Sequence, residues 1–296
     1  MRAADDLRVT PRRYGDRRLR LFRACERALR LAGGRRWYRA RHLARGRFTL
    51  RAEEIAVRDL PRGLDGLCVA QLSDLHGGPF VGAGDLDEVV AAVNALRPDV
   101  CALTGDFITH HWREALPLVA ALGGLVARHG TFAVFGNHDY KDRQEGRIVA
   151  ALAERGVRFL RNDSAVLDTG DGALRITGLE DLEQGRALDL AAARRGMAPG
   201  DLELVLCHNP LGASALARPG CLAVLAGHSH GTQVDLPFLR ELGPAHPGLR
   251  VELGPTTLIV SRGLGVVGLP WRHRSPAEVV LVTLRRAPGG RGGRAG

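Results

Sequence analysis

Asp74 and His76 stand two residues apart, and so do His228 and His230. In an extended segment, residues i and i+2 project to the same side, so each pair can serve one small region. Asp106, Asn137 and His208 add a carboxylate, an amide oxygen and an imidazole. The seven donors are two carboxylates, one amide and four imidazoles. A single ion rarely takes so many donors so rich in nitrogen. Two ions that share a bridging carboxylate use them well, and mixed N/O ligation suits Mn, Fe or Zn better than Mg or Ca.

These donors share a grammar. Apolar runs at 67–72, 100–103, 131–135, 202–206 and 222–226 each end in ligand-type residues. They run into Ser73-Asp74-Leu75-His76, Gly105-Asp106, Gly136-Asn137-His138-Asp139, Cys207-His208-Asn209-Pro210 and Gly227-His228-Ser229-His230. Short apolar runs of this kind are buried strands, and side chains at strand exits converge when the strands share a sheet. Around them the pattern predicts a first strand over 48–57 and helices over 86–96, 113–128, 142–155 and 186–195. A hairpin is expected about Thr169-Gly170-Asp171-Gly172, with closing strands at 257–261 and 278–284. Residues 234–255 have no clear period and read as a substrate-facing loop or a weakly patterned hairpin. Strand-helix alternation first and hairpins later indicate an α/β chain with mixed sheets.

With those blocks in hand, residues 64–284 resemble the calcineurin-like metallophosphoesterases. The resemblance implies a four-layer α/β/β/α sandwich of two mixed sheets with a dinuclear site at the strand exits. It implies that Asp74, His76 and His230 bind one divalent ion, Asn137, His208 and His228 the other, and that Asp106 bridges them. His138, oriented by Asp139, would contact the phosphate or protonate the leaving group. Two such ions about 3.5–4 Å apart lower the pKa of a water toward 7 and clamp an in-line displacement. Ser261-Arg262-Gly263-Leu264-Gly265 and His208-Asn209-Pro210 narrow the resemblance to a bacterial, membrane-associated phosphodiesterase branch. Some members of that branch hydrolyse UDP-2,3-diacylglucosamine in lipid metabolism. In this reading Arg262 and Asn137 contact substrate. Thr109 and Thr232 depart from the branch pattern without touching a ligand position, which leaves the substrate open rather than the chemistry. The expected activity is hydrolysis of a phosphodiester or pyrophosphate bond by metal-activated hydroxide. The alternatives are a general or cyclic-nucleotide phosphodiesterase on soluble substrates, or a scaffold that has lost catalysis.

The chain of 296 residues carries a net +10, but residues 1–51 hold 17 Arg against four acids, so the remainder is slightly acidic. Three regions are expected: a basic amphipathic arm at 1–50, the metallophosphoesterase domain at 51–287, and a Gly/Arg-rich disordered tail at 288–296. Within the arm, residues 16–32 place Phe22, Cys25, Leu29 and Ala32 on one stripe and Arg20, Arg23, Arg27 and Arg30 on another. Such a helix either lies in an anionic lipid interface or docks its apolar stripe on the catalytic domain. Nucleic acid is not the expected partner, because the arm has a continuous apolar stripe and the core is slightly acidic. No run of about 18 apolar residues spans a membrane and no secretory leader is evident. The five Cys form no Cys-x-x-Cys pair and read as free thiols. A cytoplasmic protein, peripheral on the inner face of the membrane, is therefore expected. Of the remaining histidines, His42, His129, His246 and His273 read as surface residues, and His110 and His111, near the site in sequence, either line the substrate cleft or, as expected, are solvated loop residues.

Overall fold

The computed structural model describes residue 10 and residues 16–236 and 245–287. The expected tail at 288–296 and the first residues of the arm lie outside that range. Twelve strands run in chain order: β1 (Thr49–Val57), β2 (Cys68–Leu72), β3 (Val100–Thr104), β4 (Thr131–Val134), β5 (Val157–Phe159), β6 (Asp163–Asp168), β7 (Ala173–Gly178), β8 (Glu203–Leu206), β9 (Cys221–Ala226), β10 (Arg250–Leu253), β11 (Thr256–Val260) and β12 (Glu278–Arg286). The helices are α1 (Asp16–Leu31), α2 (Gly34–Tyr38), α3 (Asp87–Ala95), α4 (Leu116–Leu122), α5 (Glu145–Ala153), α6 (Leu190–Ala193) and α7 (Ala213–Leu216).

The strands form two six-stranded mixed sheets, ordered β1-β12-β2-β3-β4-β5 and β10-β11-β9-β8-β7-β6. Strands β2 to β5 run parallel, and β12 is antiparallel to β2. In the second sheet β7, β8, β9 and β11 run parallel, flanked by antiparallel β6 and β10.

Period-two alternation sorts the side chains into layers. Val100 and Ala102 of β3 face one way, into a core shared with Leu204 and Leu206 of β8 and Leu225 of β9. That core is the contact between the sheets. Cys101 and Leu103 face the other way and pack with Val89 and Val93 of α3 and Ile148 and Leu152 of α5. On the outer face of the second sheet, Val205 and Val224 pack with Ala193 of α6 and Ala213 and Leu216 of α7. The four-layer α/β/β/α sandwich follows. Buried on both faces, the inner strands are nearly continuous apolar runs, which is why they are legible in the sequence.

Several elements differ from expectation. The helix expected over 113–128 is a single 3-10 turn at Trp112–Glu114 followed by α4, which ends at Gly123-Gly124. The helix expected over 186–195 shrinks to four residues of α6, capped by the Asp189 side chain. Strand β5 has only three residues, too few for a period. The unpatterned region resolves at its end into a hairpin, β10 paired antiparallel with β11.

The arm docks on the body from α1 to the π-helical turn at Arg39–Leu43. Tyr38 and Leu43 are fully buried in the core beneath α3 to α5. The Tyr38 hydroxyl donates to Leu264 O at 2.6 Å and accepts from Arg272 Nε at 3.0 Å. Arg35 pairs with Asp85 at 2.6 Å and donates to Ala83 O. His42 is buried, not a surface residue, because it packs against the rings of Trp37 and Tyr38. The five cysteines are free.

Candidate metal centre

The parallel strands of both sheets end at one edge of the sandwich, and the seven donors meet there. Asp74, His76, Asp106 and His230 offer ligand atoms that all lie within 4.8 Å of one another, and all four side chains are buried. The Nε2 atoms of His76 and His230 face each other at 2.9 Å. Asp106 Oδ2 lies 3.4 Å from His76 Nε2 and 3.4 Å from His208 Nε2. On the far side of Asp106, His228 Nδ1 lies 3.1 Å from Asn137 Oδ1, and the His208 and His228 rings meet edge to face.

The backbone is bent to make this meeting. Asp74, His76, Asp106, His228 and His230 all adopt positive φ, between 44° and 68°. Such conformations cost of order 1–3 kcal/mol each in a non-glycine residue and persist where the surroundings hold them. Glycines supply the close approaches. A Cβ on Gly227 would strike Ser73 Oγ and Asp74 Oδ2, and one on Gly136 would strike the Asp106 carboxylate. Asp139 fixes the same loops from below. Its two oxygens accept from the N–H groups of Asp106, Gly136, Phe107 and Ile108 at 2.8 to 3.2 Å.

The residues present fit divalent cations. Asp74 Oδ2 and His208 Nε2 are buried polar atoms without a hydrogen-bond partner, an expensive state unless a ligand satisfies them. The outer nitrogens of two imidazoles are spoken for. His208 Nδ1 donates to Thr104 O at 2.7 Å, and His228 Nε2 lies 3.1 Å from Glu183 Oε1. Each ring is thereby oriented with its other nitrogen toward the cluster, the usual support of a metal-bound histidine. Burial opposes charge on His208, but the Asp106 carboxylate outweighs it and raises the imidazole pKa well above its ordinary value. Loading a cation must release that proton.

His138 stands beside the cluster, its ring edge-on to His76 with centroids 4.7 Å apart. Its Nδ1 lies 2.9 Å from Thr109 O and 2.7 Å from Lys141 Nζ. Asp139 carries no hydrogen bond to that ring; the carbonyl of Thr109 and the ammonium of Lys141 orient it instead. Burial, then the Lys141 charge, lowers the His138 pKa to about 3. Burial also lowers that of Lys141 to about 8. Arg262 is held by Glu278, with Nη1 donating to Oε2 and its backbone N–H to Oε1.

Lys141, Glu183 and Arg272 were not singled out from the sequence as site residues. Arg272 is buried, reaches His230 Nδ1 at 3.5 Å and ties down the carbonyls of Arg262 and Gly265. None lies next to a ligand in a recognisable pattern. Only the fact that Lys141 is the sole lysine marks it.

The calcineurin-like phosphoesterase family profile matches residues 68–232, and the chain belongs to that family. Among its relatives, "Transmembrane protein with metallophosphoesterase domain" of Bos taurus is 33% identical over 253 residues, covering 79% of this chain and 56% of the relative. "Uncharacterized metallophosphoesterase YkuE" of Bacillus subtilis is 28% identical over 237 residues, covering 76% and 82%. The chain thus spans about half the length of the vertebrate relatives (56%). The solved structure of phosphopantetheinyl hydrolase from Mycobacterium tuberculosis is 14% identical, with a TM-score of 0.43 over 67% of this chain and 89% of the other. No helix among the described residues is long and apolar enough to cross a membrane.

Proposed function

We propose that this chain hydrolyses a phosphodiester or pyrophosphate bond with two divalent transition-metal ions, Mn, Fe or Zn, and that its substrate is lipid-linked. The observation that carries the two-ion reading is the position of Asp106. One carboxylate oxygen stands equally near His76 and His208, with Asp74 and His230 on one side and Asn137 and His228 on the other. In this reading Asp74, His76 and His230 hold the first ion, Asn137, His208 and His228 the second, and Asp106 both. When bound, the ions supply a nucleophilic water at neutral pH and neutralise charge on the phosphoryl oxygens.

The chain's own groups do the rest. Burial, then the Lys141 charge, favours the neutral form of His138; its Nδ1 meets Thr109 O, and its Nε2, which Lys141 Nζ approaches at 3.2 Å, serves the phosphate or the leaving oxygen. The negative charge of the substrate phosphate favours its protonated form, which suits a general acid. Asp139 acts through the backbone, holding Asp106 and the following loop in place. Arg262 keeps Nε and Nη2 available to a substrate oxygen while Glu278 anchors it.

The lipid-linked reading, with UDP-2,3-diacylglucosamine as the candidate, rests on surface chemistry. Phe22 of α1 meets the loop at Gly268, and Phe22, Leu269 and Trp271 are exposed beside a helix rich in arginine. An apolar patch flanked by cationic side chains suits the anionic surface of the inner membrane leaflet. The test is turnover by protein reconstituted with Mn, Fe or Zn. Bis(4-nitrophenyl) phosphate and vesicle-embedded UDP-2,3-diacylglucosamine should both be cleaved, and a chelator should stop both reactions. Cleavage of cyclic nucleotides with the vesicle lipid untouched would replace this reading by a soluble phosphodiesterase.

A further inference from the structure

Three solvent-exposed arginines of α1 also line a cavity open to solvent. Arg23, Arg27 and Arg30 form one wall of a space of about 390 Å³, with Pro79, His110 and His111 opposite. None of the three guanidinium groups makes an ion pair or hydrogen bond among the described residues. The two acids nearby are already spent. Glu26 is buried, paired with His110 Nε2 at 2.5 Å and accepting from Gly268 N at 3.1 Å. Glu114 accepts through Oε2 from the N–H groups of Thr109, His110 and His111. Like charges at i, i+4 and i, i+3 on a helix repel, so the fold spends stability to hold three cations at one opening. Planar guanidinium groups with no carboxylate partner suit a phosphate, which they bind through paired N–H donors.

The cavity adjoins the metal centre through the chain itself. Pro79 follows the ligand His76 by three residues, and His110 follows Thr109, whose carbonyl touches His138 and Lys141. Arg23 is also close enough to Lys141 to depress its pKa. We infer that this cavity is a second anion subsite, in which Arg23, Arg27 and Arg30 hold a further phosphate of the molecule whose ester is cleaved. The preferred substrates are then pyrophosphate-linked or carry a second phosphate. The inference rests on the phosphoesterase reading above and narrows its substrate class.

The test compares two variants of the full chain. Arg23→Gln/Arg27→Gln/Arg30→Gln empties the cavity of cations. Arg17→Gln/Arg20→Gln/Arg36→Gln removes equal charge from exposed positions outside it. Calorimetric titration of the metal-free protein with inorganic pyrophosphate should show affinity weakened at least about tenfold (about 1.4 kcal/mol) in the first variant only. In Mn-loaded enzyme, the ratio of kcat/KM for ADP-ribose to that for bis(4-nitrophenyl) phosphate should fall at least about tenfold, again in the first variant only. Equal weakening in both variants, or in neither, overturns the subsite. So does a first variant that keeps its pyrophosphate affinity but no longer sediments with phosphatidylglycerol vesicles, because the arginines then serve a membrane. If wild-type enzyme cleaves neither ester, the phosphoesterase reading fails while the titration still judges the subsite. Arg27→Gln alone carries the same comparison should the triple variant not fold.

Discussion

The carboxylate of Asp106 is the residue on which the site turns. It sits between two groups of donors, accepts from His138 N at 2.8 Å and is fenced by glycines that admit no Cβ. Asp106→Asn keeps its shape and removes its charge. Elemental analysis of the variant should show loss of metal, and chelator-sensitive turnover should vanish with little change in circular dichroism. Two full equivalents of metal retained would refute the bridging role. His138→Ala should part these two readouts. Metal content should survive, while turnover falls by about 10²–10⁴, the usual worth of a general acid. The loss should shrink for nitrophenolate, which leaves without a proton. An equal loss for good and poor leaving groups would mean that His138 only positions the phosphate. At this scale the convergence of the seven donors is legible, because residues in strand-exit pairs carry their spacing with them. Lys141, Glu183 and Arg272 are not legible, because they act across the fold: Glu183 meets His228, and Arg272 meets His230 and Tyr38. The positive φ of five donor residues is invisible too, since nothing in their types demands it.

Among the elements, the strands and helix α1 are readable in the sequence, and the turn after α2 is not. A strand buried on both faces declares itself as an apolar run. A helix tail ended by Gly123-Gly124, or a four-residue helix held by one Asp cap, does not. The turn after α2 is the clearest case. Tyr38, His42 and Leu43 lie in an arginine-rich stretch, and His42 reads as a surface residue, yet the structure buries all three. Tyr38→Phe removes the hydrogen bonds to Leu264 and Arg272 and should lower unfolding stability by about 1–2 kcal/mol in urea. His42 makes a pH-dependent contribution. Burial, then Arg272 and Arg41, lowers its pKa to about 4, against about 6.5 in an unfolded chain. Between those values the unfolded state takes a proton that the folded state refuses. Stability therefore rises with pH across that window and is lost as pH falls from about 6.5 toward 4. Replacing His42 by Phe should remove roughly 2–3 kcal/mol of that slope. Denaturation of wild type and variant at pH 7, 5.5 and 4.5 measures the difference; parallel slopes would show that His42 does not supply it.

At the scale of the whole molecule, the basic arm and the loop at Gly268 bring arginines and exposed apolar side chains together. The slightly acidic sandwich carries the edge where the donors meet, and the basic arm is strapped beside it through Glu26, Arg35 and Tyr38. The sequence implied a choice between an arm that docks and an arm that meets lipid. The fold makes the choice unnecessary, because docking leaves a surface over. Leu29 is partly buried against the core, while Phe22, Leu31, Trp37, Leu269 and Trp271 remain exposed. Each large side chain buried in an acyl boundary contributes roughly 1.5–3 kcal/mol, and each arginine near an anionic surface about 1 kcal/mol. Arg17, Arg20 and Arg36 are exposed and outside the cavity, so they are free to add to the apolar term. Binding should therefore be strong to phosphatidylglycerol vesicles, weak to phosphatidylcholine vesicles and reversed by high salt. Phe22→Ser/Trp271→Ser should lower the partition coefficient onto the phosphatidylglycerol vesicles by about tenfold or more, since two large apolar contacts are lost. A vesicle-embedded ester should then be cleaved more slowly relative to a soluble diester. These two positions are better probes than truncation of the arm, which would strip Tyr38 and Leu43 from the core. Wild-type protein that never sediments with anionic vesicles, or a double variant that sediments as well as wild type, would remove the physical support for a lipid-linked substrate.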